Sequence, residues 1–278
     1  MPQMTFSKWS SGGNTTIFLH DEALPPQLLA ACARAVLSPD VLGAEQAGTV
    51  SLSGRSLAMA GGEFCVNASR AFGALLALTS PRRGETLQEE VRVSGWEGPV
   101  ALTVRGAVPR WQVSARLALR PDIRPANRAG LPEGARLVRL PGISHLLLPL
   151  EDASLPSDLR GRARGALDRA DLLGETAAGV IWWRPEGEGF AMTPVVHVRD
   201  AATLVAESAC GSGALALALE LAARQGLREC RLNQPSGSFL QVHVSAPEAD
   251  GRVMADIDGP VTLLARGRVW LDAADGEN

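Results

Sequence analysis

Lysine is all but missing from this 278-residue chain: Lys8 is the single copy. Schiff-base chemistry on pyridoxal phosphate needs a lysine, and Lys8 falls in an N-terminal strand pattern with no phosphate-binding loop around it, so no cofactor is expected. The arginine that replaces lysine elsewhere is read as mutational bias. A surplus of positive charge is missing too. The 27 Lys and Arg against 30 Asp and Glu leave a net charge of −3, which is no footprint for nucleic acid. No apolar run reaches the roughly 18 to 20 residues that span a bilayer. The opening Met1-Pro2-Gln3-Met4-Thr5-Phe6-Ser7-Lys8 has no signal-peptide stretch, so no membrane partner and a cytoplasmic location are expected. Metal-ligand spacing is also absent. Cys32, Cys65, Cys210 and Cys230 contain no Cys-x-x-Cys pair, and His20, His145, His197 and His243 stand singly, so no metal site is expected and the thiols are expected free.

What is present is an ordinary globular composition, 46% hydrophobic and 21% charged, in a chain long enough for two medium domains. Period-2 alternation at 49–53, 91–94, 100–104 and 113–119 predicts many half-buried strands. Helical spacing appears at Pro25–Leu37, Asn67–Leu78, Pro156–Leu173 and Gly211–Gln225. The second and fourth are apolar on nearly every side, as a helix wrapped in sheet must be. A Pro, Arg and Gly-rich stretch from Arg120 to Arg136 has the composition of a linker. Strands are expected after it at 136–140 and 145–149, and a last one at Val261–Leu271 behind Gly259-Pro260, followed by an acidic end expected to fray. The order of helix, strands, cysteine, buried helix and strands occurs twice. It predicts an α/β (α+β) fold of two pseudo-symmetric domains, 1–121 plus 261–278 carrying Cys65 and 122–260 carrying Cys210.

Both of those cysteines stand immediately before a buried helix. A thiol there feels unpaired N–H groups and the positive end of the helix dipole, which favour thiolate and are expected to lower its pKa. The same N–H groups would hold a carboxylate. Two such stations facing each other would grip an amino acid and offer a base and an acid on opposite faces, the equipment of a cofactor-independent racemase.

The motifs, taken in order, resemble the diaminopimelate epimerase superfamily from one end of the chain to the other. Phe6-Ser7-Lys8-Trp9-Ser10-Ser11-Gly12-Gly13-Asn14 is similar to its Phe-Ser-Lys-Met-x-Gly-x-Gly-Asn start, and Leu42-Gly43-Ala44-Glu45-Gln46 to Ile-Gly-x-Asp-Gln. Cys65-Val66-Asn67-Ala68-Ser69-Arg70-Ala71-Phe72 resembles Cys-Gly-Asn-Gly-x-Arg-Cys-Phe, and Ala209-Cys210-Gly211-Ser212-Gly213-Ala214 resembles Ala-Cys-Gly-Thr-Gly-Ala. The resemblance implies sheets rolled around central helices with the site in a cleft, Cys65 and Cys210 as the catalytic pair, and substrate held by Asn14, Gln46 and the amides near Val66, Asn67, Gly211 and Ser212.

Departures from the family pattern point away from diaminopimelate. Gly142-Ile143-Ser144-His145 replaces Gly-Asn-Pro-His, and Ala178 to Trp183 replaces a segment holding another asparagine, so the distal end of the site is expected to be apolar. The implied substrate is an ordinary α-amino acid. Met59-Ala60-Gly61-Gly62-Glu63-Phe64-Cys65 resembles the histidine racemases that supply D-histidine for opine-type metallophores, although another side chain would suit an apolar distal pocket equally. Two other readings stay open: a carbon–carbon double-bond isomerase of an unsaturated acid on the same fold, and a non-catalytic amino acid binding protein. The partner is a small molecule, and the reading leaves room for a homodimer. Cys32, Cys230, His145, Trp182 and Trp183 read as packing residues, and Arg70 as a partner of nearby backbone or carboxylates.

Overall fold

The computed structural model of the protein describes residues 3–20, 26–82, 84–150 and 154–271, so the acidic end expected to fray lies outside the described residues. The first seven strands are β1 (Gln3–Ser11), β2 (Asn14–Leu19), β3 (Gln46–Ser51), β4 (Ser56–Met59), β5 (Leu87–Val93), β6 (Val100–Ala107) and β7 (Arg110–Leu119). They pair in sequence order, and the final strand β16 (Val253–Trp270) joins β7 on one side and β1 on the other, closing the ring. Inside it lies α2 (Val66–Thr79), every residue of which from Val66 to Leu76 is buried. That environment explains the all-round apolar sequence of α2, since each of its faces meets strand side chains. Phe72 crosses Phe18 edge-on at 6.2 Å, and Trp9 meets Trp111 at 5.6 Å.

The second half continues from β16 through β15 (Phe239–Val244), β14 (Glu229–Asn233), β12 (Gly189–Val198), β11 (Ala177–Glu186), β10 (Ile143–Pro149), β9 (Arg136–Leu140) and β8 (Asp122–Pro125), with β13 (Thr203–Ala206) on the free side of β12. It wraps α4 (Gly211–Gln225), which is buried from Gly211 to Leu221. Two amphipathic helices, α1 (Pro26–Val36) and α3 (Leu159–Arg169), pack outside against β2–β3 and β11–β13. No helix among the described residues is long and apolar enough to cross a membrane.

Two expectations need correction. The stretch 120–136 is not all linker, because Asp122–Pro125 pairs antiparallel with Arg136–Arg139 as an edge strand. Pro125 is tolerated there because an edge residue can lack an outward N–H. The last strand begins at Val253, eight residues before the expected Val261, and runs through Gly259-Pro260. Those two residues sit where the neighbour on one side changes from β15, paired as far as Asp258, to β1, paired from Val261. A proline at that exchange point removes no ladder bond on the side where the partner changes. Glycine is required beside it: a Cβ on Gly259 would stand 2.7 Å from Leu240 Cδ2 and 2.8 Å from Arg70 Nη2.

Arg70 occupies the space thus left. Its guanidinium is fully buried and donates to Val113 O on β7 at 3.0 Å and to Pro260 O on β16 at 3.2 Å, tying α2 to the two strands that run on into the second half. Burial lowers its pKa to about 10, which leaves it charged at neutral pH. Replacing Arg70 by Met keeps the length of the side chain but removes its bonds to Val113 O and Pro260 O, the latter keeping only its bond from Gly12 N. We expect Arg70→Met to lose about 2–4 kcal/mol in urea denaturation, and a loss below about 0.5 kcal/mol would show that the clamp is dispensable.

Candidate active site

Each of the two predicted cysteines is the N-cap of its helix, and the two caps share one conformation: φ −129°, ψ 107° at Cys65 and φ −131°, ψ 108° at Cys210. Cys65 Sγ accepts from Ala68 N at 3.3 Å, and Cys210 Sγ from Gly213 N at 3.4 Å. The cysteine thus does the capping work that serine or aspartate usually does. The helices meet start to start. Asn67 Nδ2 donates to Ala209 O at 2.9 Å, and a Cβ on Gly211 would stand 2.8 Å from both Val66 Cβ and Asn67 Oδ1, so only glycine permits this approach.

Both cysteines line a single cavity of about 40 Å³ together with Gln46, Val66, Asn67, Gly211 and Ser212. Of the first-turn amides, those of Ala68 and Ser69 go to Cys65 Sγ and O, and those of Gly213 and Ala214 to Cys210 Sγ and O. The remaining ones belong to Val66, Asn67, Gly211 and Ser212 on the cavity wall. Gln46 links the halves: its Oε1 accepts from Cys65 Sγ at 3.0 Å and its Nε2 donates to Glu207 at 2.9 Å. Asn14 is not on the wall. It lies fully buried behind Glu45, donating to it at 2.7 Å. The Asn67 side chain bridges to Ala209, which leaves its backbone as the part facing the cavity.

The expected lowering of the thiol pKa values is not what the structure shows. Burial, the largest effect at both sites, pushes Cys65 and Cys210 above the usual thiol range, and the Glu207 carboxylate beside them pushes the same way; amide donors oppose this with less effect. Burial therefore favours the protonated form of both thiols. His145 is neutral, its pKa lowered to about 3 by burial, and its Nε2 bonds to Ser212 Oγ at 2.9 Å, whose hydroxyl is 3.6 Å from Cys210 Sγ. Trp182 packs beneath α3 and Trp183 against Phe190, and neither lines the cavity.

Sequence reasoning missed three carboxylates on the wall: Glu45, Glu63 and Glu207. Their only signal was position, each within three residues of a predicted site residue. The distal wall is apolar as expected where Ile143, Val196, Val198, Ala201 and Val205 stand, but Glu63 interrupts it. Burial raises the pKa of all three acids, that of Glu207 to about 8.

Comparison with known proteins bears on this site. The family described as "Histidine racemase CntK N-terminal domain" matches residues 3–270. A histidine racemase of Fusobacterium nucleatum subsp. nucleatum is 26% identical over 271 residues, covering 96% of this chain and 97% of that protein. Among solved structures, a hydroxyproline epimerase from Agrobacterium vitis with bound trans-4-hydroxy-L-proline superposes with a TM-score of 0.70 at 12% identity, over 99% of this chain and 94% of that one. A phenazine biosynthesis protein of the PhzF family from Bacillus anthracis gives 0.69 at 11% identity, over 98% and 100%. At those identities the solved structures show the fold.

The pKa of Glu207 has a consequence for stability. Between its ordinary value of 4.5 and about 8, the folded protein keeps a proton that the unfolded chain has released, so stability falls as pH rises through that window. Glu207→Gln removes this dependence and also relieves the repulsion that Glu207 exchanges with Glu45 and Glu63, which acts in the same direction. Thermal melting from about pH 5 to about pH 8 is expected to show the wild-type midpoint falling more steeply, with the gap widening in favour of the variant. Parallel curves would mean that Glu207 is ionised throughout.

Proposed function

Because the chain belongs to the histidine racemase family whose N-terminal domain description it matches over residues 3–270, we propose that it interconverts L- and D-histidine by a two-base mechanism on Cys65 and Cys210. The enzyme is an isomerase of the racemase and epimerase group, acting on an amino acid. The observation that carries the mechanistic reading is the pair of matched cysteine N-caps opening on one cavity. A division into 1–121 plus 261–278 and 122–260 belongs to the same proposal, supported by the separate wrapping of α2 and α4 and by the way β16 crosses between the two.

In this reading the substrate carboxylate lies between the helix starts, against the amides of Val66, Asn67, Gly211 and Ser212, where the N–H groups and both dipoles favour negative charge. One thiolate takes the α-proton. The electron pair of the C–H bond passes into the carboxylate, which becomes enediolate-like and is stabilised by those same amides. The other thiol then donates its proton to the opposite face of the α-carbon, re-forming a C–H bond of inverted configuration. The thiol and thiolate have exchanged places, so the pair titrates as a unit. Gln46 aligns the Cys65 thiol, and the His145–Ser212 bond orients a hydroxyl toward Cys210.

The thiolate has to be generated against burial and against Glu207. A bound ammonium supplies the missing positive charge, so the substrate itself is the group that brings the thiol pKa values down. Entry requires the cleft to open. A cavity of about 40 Å³ holds two to four waters at most, and the bonds across its rim, from Ser208 N and Oγ to Glu45 and from Gln46 to Glu207, must part first. Closure then expels water from the reacting carbon.

The test is α-proton exchange followed by NMR in deuterium oxide with reduced enzyme and each L-amino acid. L-Histidine is expected to exchange and D-histidine to accumulate. Cys65→Ser and Cys210→Ser are each expected to lower racemisation by a factor of about 10² to 10⁴ with the fold intact by circular dichroism. Near-normal turnover in either variant would sink the two-base scheme, and exchange of a different amino acid would replace histidine as substrate.

A further inference from the structure

The three carboxylates of the cavity have different surroundings, and these divide their work. Glu45 is fully engaged inside the protein: Oε2 accepts from Asn14 Nδ2 at 2.7 Å and Ser208 N at 3.2 Å, and Oε1 accepts from Ser208 Oγ at 2.5 Å. Glu207 is 5% exposed; its Oε1 accepts from Gln46, its carboxyl interacts with the Cys210 thiol, and Oε2 is buried with no partner among the described residues. Glu63 is 8% exposed and is held by one oxygen, Oε2, from Gly61 N at 3.1 Å. A Cβ on Gly61 would meet Val198 Cγ1 at 2.3 Å and Glu63 Oε2 at 2.8 Å, so Gly61 is the neighbour shared by the Glu63 carboxylate and the apolar wall of β12.

No cationic side chain lines the cavity among the described residues. Arg70, a buried guanidinium behind the wall, donates to the carbonyls of Val113 and Pro260 and at 3.5 Å to Asn67 Oδ1, and its charge is felt by Cys65, but it bonds none of the three carboxylates. Buried carboxylates without a cation are costly, and the complement they select is a cationic ligand. A zwitterionic amino acid carries one ammonium, and its carboxylate is taken by the helix starts. One ammonium balances one of the two available carboxylates, and the other is left for the side chain.

We propose that Glu207 receives the α-ammonium and that Glu63 receives the N–H edge of a compact, basic side chain, making Glu63 the residue that selects such a side chain over a neutral one of the same shape. The assignment rests on the racemase reading above and adds the source of its substrate choice. Glu207 stands beside Cys210 and is bonded to the glutamine that holds Cys65, so it belongs to the reacting carbon. Glu63 lies toward the Val196, Val198 and Ala201 wall, where an apolar surface can cover the face of a flat ring while the carboxylate takes its edge.

The experiment compares L-histidine with L-1,2,4-triazol-3-ylalanine, which keeps the ring size and an N–H but is far less basic than imidazole and so cannot become the ring cation beside Glu63, on wild type and on Glu63→Gln. Wild type is expected to prefer histidine by about tenfold or more in kcat/KM, with that ratio falling to within about threefold in the variant, chiefly through KM for histidine. An unchanged ratio and KM in E63Q would overturn the proposal. Equal use of the two substrates by wild type would overturn it as well, whether or not E63Q folds. If wild type exchanges no α-proton with any amino acid, the racemase reading has failed. Calorimetric binding of the same two ligands then decides the selectivity: preference for histidine that E63Q abolishes supports the assignment, and equal affinity ends it.

Discussion

Everything in the site depends on two helices meeting by their N-termini. Gly211 is the contact point, with Val66 and Asn67 so near that a single methyl group would collide with both. Asn67 then bonds across to Ala209, the residue before Cys210, so the carboxamide of one helix start fixes the approach to the other. Because each cysteine caps its helix with the same backbone angles, fixing the helices also fixes the thiols. Two positive dipole ends brought together would repel, and a carboxylate between them is the natural occupant. In the proposed reading the substrate carboxylate is that occupant.

The electrostatic balance runs opposite to what helix ends alone would dictate. Dipoles and amides favour thiolate, but burial disfavours it more, and three carboxylates with raised pKa values share the space. Burial and these carboxyls therefore favour thiol over thiolate at both cysteines. In the proposed reading a ligand bearing both an ammonium and a carboxylate would change both sides of the balance at once, meeting Glu207 with one end and the helix starts with the other. Reactivity is then conditional on the ligand being present.

How far the sequence discloses this varies with the range of the interaction. The buried helices were legible because α2 and α4 are apolar all round, and the observed α4, Gly211–Gln225, has the bounds expected from spacing. The cysteine stations were legible because capping is local. The course of β16 was not, because Gly259-Pro260 punctuates the chain only where no neighbour compensates, and here one neighbour gives way to another at that residue. The role of Asn14 was displaced for a similar reason: Glu45 stands between it and the cavity, a relation set by the parallel pairing of β2 and β3. The direction of the thiol pKa shifts depends on how much protein lies above each sulfur, which no spacing encodes. Glu63 and Glu207 were invisible as site residues because an acid two or three positions from a cysteine has no periodic signature.

The bonds that join the two halves around the cavity are of two kinds, and the difference bears on how the site can open without losing its alignment. At the base, Asn67 to Ala209 is wholly buried, and Arg70 ties α2 to the shared strand β16 and to β7 from within. Breaking either would strand polar groups out of reach of water. At the rim, the bonds of Ser208 and Gln46 to Glu45 and Glu207 are only partly buried, so water can replace each partner at small cost. In the proposed mechanism an opening motion would separate the rim and pivot on the base, next to the helix starts. A ligand entering such a cleft would find its carboxylate site already formed and draw the partly buried rim bonds closed over itself, so that binding and assembly of the reactive geometry would become a single event.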